Sequence, residues 1–188
     1  MVNELFITNR HLCQGDFLDI LDRLAALHPR GIILREKDLP ETEYLCLAEQ
    51  ALAICAKHQT QCILHSFTQA AFELRHPFIH LPMTLLRCLT EAQRRWFQVL
   101  GASCHSVEEA HEAASLGCTY LTAGHVFPTA CKPGLPARGL DFLRQVCQAV
   151  SVSVYALGGI TPENRSLVLS VGAAGTAVMS GALRYIEK

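Results

Sequence analysis

Short apolar runs recur along this chain eight times, roughly every twenty-odd residues, and nearly all are followed by a helical stripe. They occupy residues 5–8, 32–34, 62–64, 78–81, 97–102, 120–124, 152–157 and 173–179. A strand buried on both faces reads as a near-continuous apolar run, not as an alternation. Strands that alternate with helices predict a parallel sheet whose helices return the chain to its start. Eight such units predict a closed (β/α)8 TIM barrel, compact beside the ~250 residues usual for that fold. An open doubly wound sheet is the alternative, but no GxGxxG follows the first run. No Gly-, Pro- or Ser-rich linker interrupts the pattern, so residues 1–188 are expected to form one domain.

Helical spacing predicts helices over 16–28, 43–58, 69–74, 84–96, 106–116 and 140–150. Pro29, Arg30 and Gly31 read as the stop of the first. Ser106 with Glu109 three residues on forms a capping box, and Gly117 ends that helix. Thr161 followed by Pro162 reads as an N-cap and first helical residue. Beyond Ser180-Gly181 the last helix is truncated to residues 182–188, and the apolar surface it leaves predicts a homo-oligomer.

Half the residues are apolar, enough for a sizeable core. The net charge of −1 and the lack of a basic tract exclude nucleic acid and anionic membrane as main partners. No run nears the ~18 apolar residues of a membrane span. The opening MVNELFITNR lacks a secretory signal. The nine cysteines are odd in number, scattered through apolar segments and without CxxC, so they read as reduced thiols of a cytoplasmic protein. Cys104-His105 alone is too little for zinc, and neither metal nor other cofactor is expected.

In such a barrel the working groups lie at the carboxyl ends of the strands. Those ends carry Thr8, Asn9, Arg10; Arg35, Glu36, Lys37; His65, Ser66; His80; Ser103, His105; His125; Gly158, Gly159; and Ser180, Gly181. Gly158-Gly159 and Ser180-Gly181 follow the last two strands, where backbone N–H groups and helix N-termini suit a phosphate. Arg35 stands directly after a buried run and can grip an anion at two points, with Glu36 or Asp38 orienting it. Lys37 beside it is a second candidate for substrate binding. The loop after the sixth run, residues 122–139, holds His125, Cys131 and Lys132 between prolines and glycines. A loop of that length after a strand is more often functional than connecting. Imidazole is the side chain best suited to take and return a proton near neutral pH, which makes His125 the candidate acid–base; a histidine bonded to a carbonyl is its plain alternative. His65, His80 and His105 read as structural or as supports behind the catalytic group, and not as catalytic themselves.

Five segments carry a family resemblance: LREKD at 34–38, SCHSVEEA at 103–110, GHVFPTACKPGLPARGL at 124–140, ALGGITPEN at 156–164 and AVMSG at 177–181. Together they resemble the thiamine phosphate synthase / TenI family over the whole chain, and the resemblance implies the same barrel. Synthases join a pyrimidine diphosphate to a thiazole phosphate with magnesium on the diphosphate. Their pattern has Asn-Asp where this chain has His65-Ser66, and a second Asp shortly after His-Leu-Gly, where it reads His80-Leu81-Pro82-Met83. The Gly124-His125 loop with Cys131-Lys132 is similar instead to the TenI branch. That likeness implies a thiazole tautomerase: it aromatises a carboxylated thiazole phosphate with His125 as the proton-transfer residue, and Arg35 or Lys132 holds the carboxylate. A divergent thiamine phosphate synthase and a non-catalytic regulatory protein are the alternatives.

Overall fold

The chain folds into nine α-helices, a short 3-10 helix at Arg10–Leu12 and eight strands among the described residues, 2–129 and 134–186 of this computed structural model. The strands are β1 (Val2–Ile7), β2 (Pro29–Leu34), β3 (Cys62–His65), β4 (Phe78–Pro82), β5 (Val99–Cys104), β6 (Tyr120–Gly124), β7 (Ser153–Leu157) and β8 (Gly175–Val178). They run in chain order as a closed barrel, as the eight apolar runs predict. Between them lie α1 (Phe17–Ala25), α2 (Glu41–Lys57), α3 (Thr68–Glu73), α4 (Met83–Cys88), α5 (Glu91–Trp96), α6 (Val107–Ser115), α7 (Gly139–Ala149) and α8 (Arg165–Ser170), and α9 (Ser180–Leu183) follows β8. The chain resolves into two compact units. One runs to His80 and takes in the segment from Val178; the other is Leu81–Ala177.

In the first unit β1, β2 and β3 pair in parallel, with Phe6 beside Ile32 and Ile33 beside Ile63, all buried. The Asp16 carboxylate accepts from the amides of Leu18 and Asp19 and starts α1, whose buried face is Ile20, Leu21, Leu24 and Ala25. Helix α2 buries Tyr44, Ala48, Ala51 and Cys55, one stripe with three small side chains. The Tyr44 hydroxyl donates to the Leu34 carbonyl at 2.8 Å and accepts from the His65 amide at 2.9 Å, so one side chain joins the ends of β2 and β3.

In the second unit β5, β6, β7 and β8 form a continuous parallel ladder. Gly101 of β5 lies under the Tyr120 ring; a Cβ there would sit 2.2 Å from the ring carbon, so only glycine fits.

Among the boundaries that differ from the sequence expectation, four bear on the elements that follow. Pro29, Arg30 and Gly31 open β2 instead of ending α1, which stops at Ala25. A proline is tolerated there because it is the first residue of its strand. The helix expected over 84–96 is two. Thr90 accepts from the Gln93 amide while Gln93 accepts from the Thr90 amide, a full capping box that restarts the chain as α5. Strand β5 lies two residues later than its apolar run and ends at Cys104. The regular helix α8 begins at Arg165, not at Thr161-Pro162: residues 162–164 form a turn, in which the Asn164 side chain accepts from the Thr161 amide and the Arg165 amide donates to the Thr161 carbonyl.

Candidate active site

His125 directly follows β6 and is 5% exposed. Its Nε2 lies 3.3 Å from the Leu135 carbonyl. A carbonyl only accepts, so Nε2 carries a proton, and in the neutral ring Nδ1 carries the lone pair. That Nδ1 is buried and has no hydrogen-bond partner among the described residues. The plain alternative, a histidine bonded to a carbonyl, thus holds for one ring nitrogen, and among the described residues the other has no partner.

The main chain around this residue is held on several sides. The Val126 amide donates to the Leu157 carbonyl and the Phe127 amide to that of Gly158, docking the segment on the end of β7. The Arg138 amide donates to the His125 carbonyl at 3.0 Å, and the Gly139 amide to that of Val126. Gly158 and Gly159, with φ of +96° and +65°, lie at the contact. A Cβ on Gly158 would come 2.3 Å from the His125 Cβ, and one on Gly159 would come 2.4 Å from the Pro128 carbonyl oxygen. These two glycines were singled out for a phosphate. The geometry gives them a packing duty as well: they let the β7 end approach His125 and Phe127. The helix dipole invoked for the phosphate lies further on, since α8 starts only at Arg165.

The SCHS segment lies beside β6. Thr122 Oγ1 donates to Ser103 Oγ at 3.3 Å, and the His105 ring Nδ1 lies 2.8 Å from the Gly124 carbonyl. Ser106 caps α6 by accepting from the Glu109 amide. The reciprocal half of the expected capping box is displaced by one residue: the Glu109 carboxylate accepts from the His105 amide at 2.7 Å, not from Ser106.

In the first unit the LREKD segment is organised by Glu36, which is 1% exposed. Its carboxylate accepts from Thr8 Oγ1 at 2.6 Å, from the Arg10 amide, and from Arg10 Nη1 at 3.2 Å. Thr8 Oγ1 in turn accepts from the Arg35 amide. Asp38 binds the Arg10 guanidinium and the His11 ring, and those groups hold its carboxyl below the usual carboxylate range. The acids expected to orient Arg35 therefore orient Arg10. The run from Arg35 to Asp38 hides a buried polar centre that composition does not show. Arg35 itself is half-buried and Lys37 exposed.

His65, at the end of β3, and His80, in the middle of β4, are buried neighbours with ring centroids 5.6 Å apart. Burial pushes His80 down to about 3, helped by the Lys37 charge. His65 is held well below its ordinary value by burial, then by His80, Lys37 and Arg35. Both rings are neutral at pH 7. His65 Nδ1 accepts from Ser66 Oγ at 2.7 Å, and Ser66 has a φ of +68°. Ser180 and Gly181 open the four-residue α9, where a Cβ on Gly181 would make only ordinary contact with Val178. Cys131 and Lys132 lie outside the described residues.

Magnesium prefers hard anionic oxygens. His65, Ser66, Pro82 and Met83 supply none, and the Glu36 carboxylate is already taken up by Thr8 and Arg10. No group of three or more His, Cys, Asp or Glu suited to a metal occurs among the described residues. The residues present do not fit the magnesium that a synthase uses.

Comparison with known proteins agrees with the barrel and the motifs. The chain is 30% identical over 174 residues to a putative thiamine-phosphate synthase 2 of Aquifex aeolicus, covering 93% of this chain and 94% of that one. It is 31% identical over 181 residues to thiamine-phosphate synthase 2 of Streptococcus pneumoniae, covering 92% and 83%. A thiamine phosphate pyrophosphorylase from Pyrococcus furiosus superposes with a TM-score of 0.79 at 24% identity over 98% of this chain and 95% of that one, which shows the shared fold. The family model for thiamine monophosphate synthase, TMP-TENI, matches residues 4–182. This protein belongs to the thiamine monophosphate synthase (TMP-TENI) family.

Proposed function

We propose that the protein is an enzyme of thiamine biosynthesis and, within its family, a thiazole tautomerase of the TenI type. The observation that carries this reading is the place of His125, directly after β6, with a ring Nδ1 that has no hydrogen-bond partner among the described residues. The substrate is a carboxylated, non-aromatic thiazole phosphate. Its ring C2–H gives up a proton to the imidazole, and the exocyclic double bond shifts into the ring. The exocyclic carbon takes a proton back from the imidazolium, so the reaction is a redox-neutral isomerisation. A single imidazole serves first as base and then as acid. Gly158, Gly159, Ser180 and Gly181 are the proposed phosphate groups, and phosphate binding would supply remote energy for positioning the ring. Arg35, Lys37, Lys132 and Cys131 are the proposed contacts to the rest of the substrate. Self-association is part of the same reading: Leu12 and Tyr185, each 39% exposed, are candidates for burial against a second copy.

A second reading is favoured by the names of the relatives, which are thiamine-phosphate synthases. It makes the protein a transferase that joins a pyrimidine diphosphate to a thiazole phosphate. Against it stands the missing pair of hard oxygen donors. NMR of the non-aromatic thiazole phosphate, wild type beside His125→Asn, tests the first reading. Conversion by the wild type, lost in the variant, supports it. No conversion, together with magnesium-dependent thiamine phosphate formation from the two synthase substrates, replaces it with the second. Binding without turnover in either assay would leave a regulatory, ligand-binding protein.

A further inference from the structure

The ladder between β5 and β6 ends at the pair Cys104 and Ala123. One residue further on, the next tie between these two chain segments is made by a side chain. His105 Nδ1 lies 2.8 Å from the carbonyl oxygen of Gly124, the residue that precedes His125. The carbonyl only accepts, so Nδ1 carries its proton whether the ring is neutral or charged. His105 is anchored from behind by α6: its amide donates to Glu109 Oε2 at 2.7 Å, and the Glu109 amide is held by Ser106 Oγ.

Gly124 is fully enclosed at this point. A Cβ on it would come 2.4 Å from the Leu157 carbonyl oxygen, so the end of β6 packs against β7 as closely as a glycine allows. The other holds on the His125 main chain come from backbone, through the Arg138 amide and the close approach of Gly158. Among the described residues the hold on Gly124 is supplied by a side chain, and it acts on the peptide from which His125 departs.

We propose that His105 is a positioning residue for His125: its Nδ1–H fixes the Gly124 carbonyl, and with it the peptide plane that sets the direction of the His125 imidazole. This rests on His125 being the proton-transfer group. It gives the SCHS motif a purpose that cap formation does not require, since Ser106 and Glu109 already provide the cap. A carbonyl left without its donor in this buried setting would turn towards another partner. Proton transfer is sensitive to such a turn, because a displacement of about 1 Å at a reacting group can cost roughly 100-fold in rate.

The test compares His105→Leu, which removes the donor, with His105→Asn, whose amide N–H projects from near the Nδ1 position. Turnover of the non-aromatic thiazole phosphate and the ¹⁵N and ¹H resonances of the His125 imidazole are followed in both. The expected result for His105→Leu is a kcat lower by about 10- to 100-fold, a KM within about 2-fold, and shifted His125 resonances. His105→Asn is expected to recover most of the kcat and the native resonances. Wild-type kcat and native His125 resonances in His105→Leu would overturn the proposal, as would an equal loss in both variants with native resonances. Should His105→Leu fail to fold, the Asn variant decides: native resonances support the role and displaced ones overturn it. Wild-type protein without turnover would instead sink the tautomerase reading, and the His125 resonances would still decide whether His105 positions that ring.

Discussion

Gly158 lies so close to His125 that a Cβ on the glycine would be 2.3 Å from the Cβ of the histidine. The glycine also has a φ of +96°, which other residues rarely adopt. Gly158→Ala is therefore expected to lower stability by about 1–3 kcal/mol and to displace His125. Gly181→Ala meets only Val178 at 3.5 Å and is expected to stay within about 0.5 kcal/mol of wild type. Urea unfolding of the two variants checks the contrast. Equal midpoints would show that the β7 end yields to the added methyl.

The Glu36 carboxylate gathers Thr8, the Arg10 amide and the Arg10 guanidinium. Glu36→Ala leaves these donors without their acceptor in a buried place, at an expected cost of about 3 kcal/mol. Thr8→Val removes a single hydrogen bond from Glu36 and the acceptor of the Arg35 amide, and should lose about 1–2 kcal/mol. A thermal or urea series with both variants measures this. A smaller loss in Glu36→Ala than in Thr8→Val would refute the central place given to the carboxylate.

Tyr44 is fully buried and serves two backbone groups, one at the end of each of two strands. Tyr44→Phe keeps the ring and its stacking on Phe67, whose centroid is 3.9 Å away, but strips both bonds. The expected loss is about 2 kcal/mol, with faster hydrogen exchange at the His65 amide. Unchanged exchange at that amide would mean that water replaces the hydroxyl.

His65 and His80 set a direction for the pH dependence. Their native pKa values lie below the ordinary 6.5, down to about 3 for His80, so the unfolded chain takes up protons that the native protein refuses. Stability from this source is complete above about pH 6.5 and drains away as pH falls towards 3, by about 1.4 kcal/mol per pH unit for each histidine held neutral. Urea midpoints at pH 7 and pH 5 should differ accordingly, and His80→Leu should flatten the slope. A midpoint that rises on acidification would contradict the burial of both rings in neutral form.

Much of the fold was legible because it rests on local signals. Parallel strands buried on both faces must be apolar throughout, and β6 was read to the residue from Tyr120 to Gly124. The Thr90 capping box was equally local, yet the helical stripe over 84–96 concealed it, because two short helices can share one apolar spacing. The start of α8 was missed for a different reason. Thr161-Pro162 has the composition of a helix start, but residues 162–164 form a turn and the regular helix sets in only at Arg165.

By itself the sequence determined the eight-unit alternation, the strand ends that bear polar groups and the family, since each is written in residue types and their spacing. Which polar groups are satisfied was decided only in three dimensions. Glu36 belongs to Arg10 and not to Arg35, Glu109 reaches His105 and not Ser106, and Gly158 meets His125 across two loops. The physical reason is that a hydrogen bond or a steric contact selects its partner by distance and direction, and residues far apart in the chain acquire both only when the strands are in register.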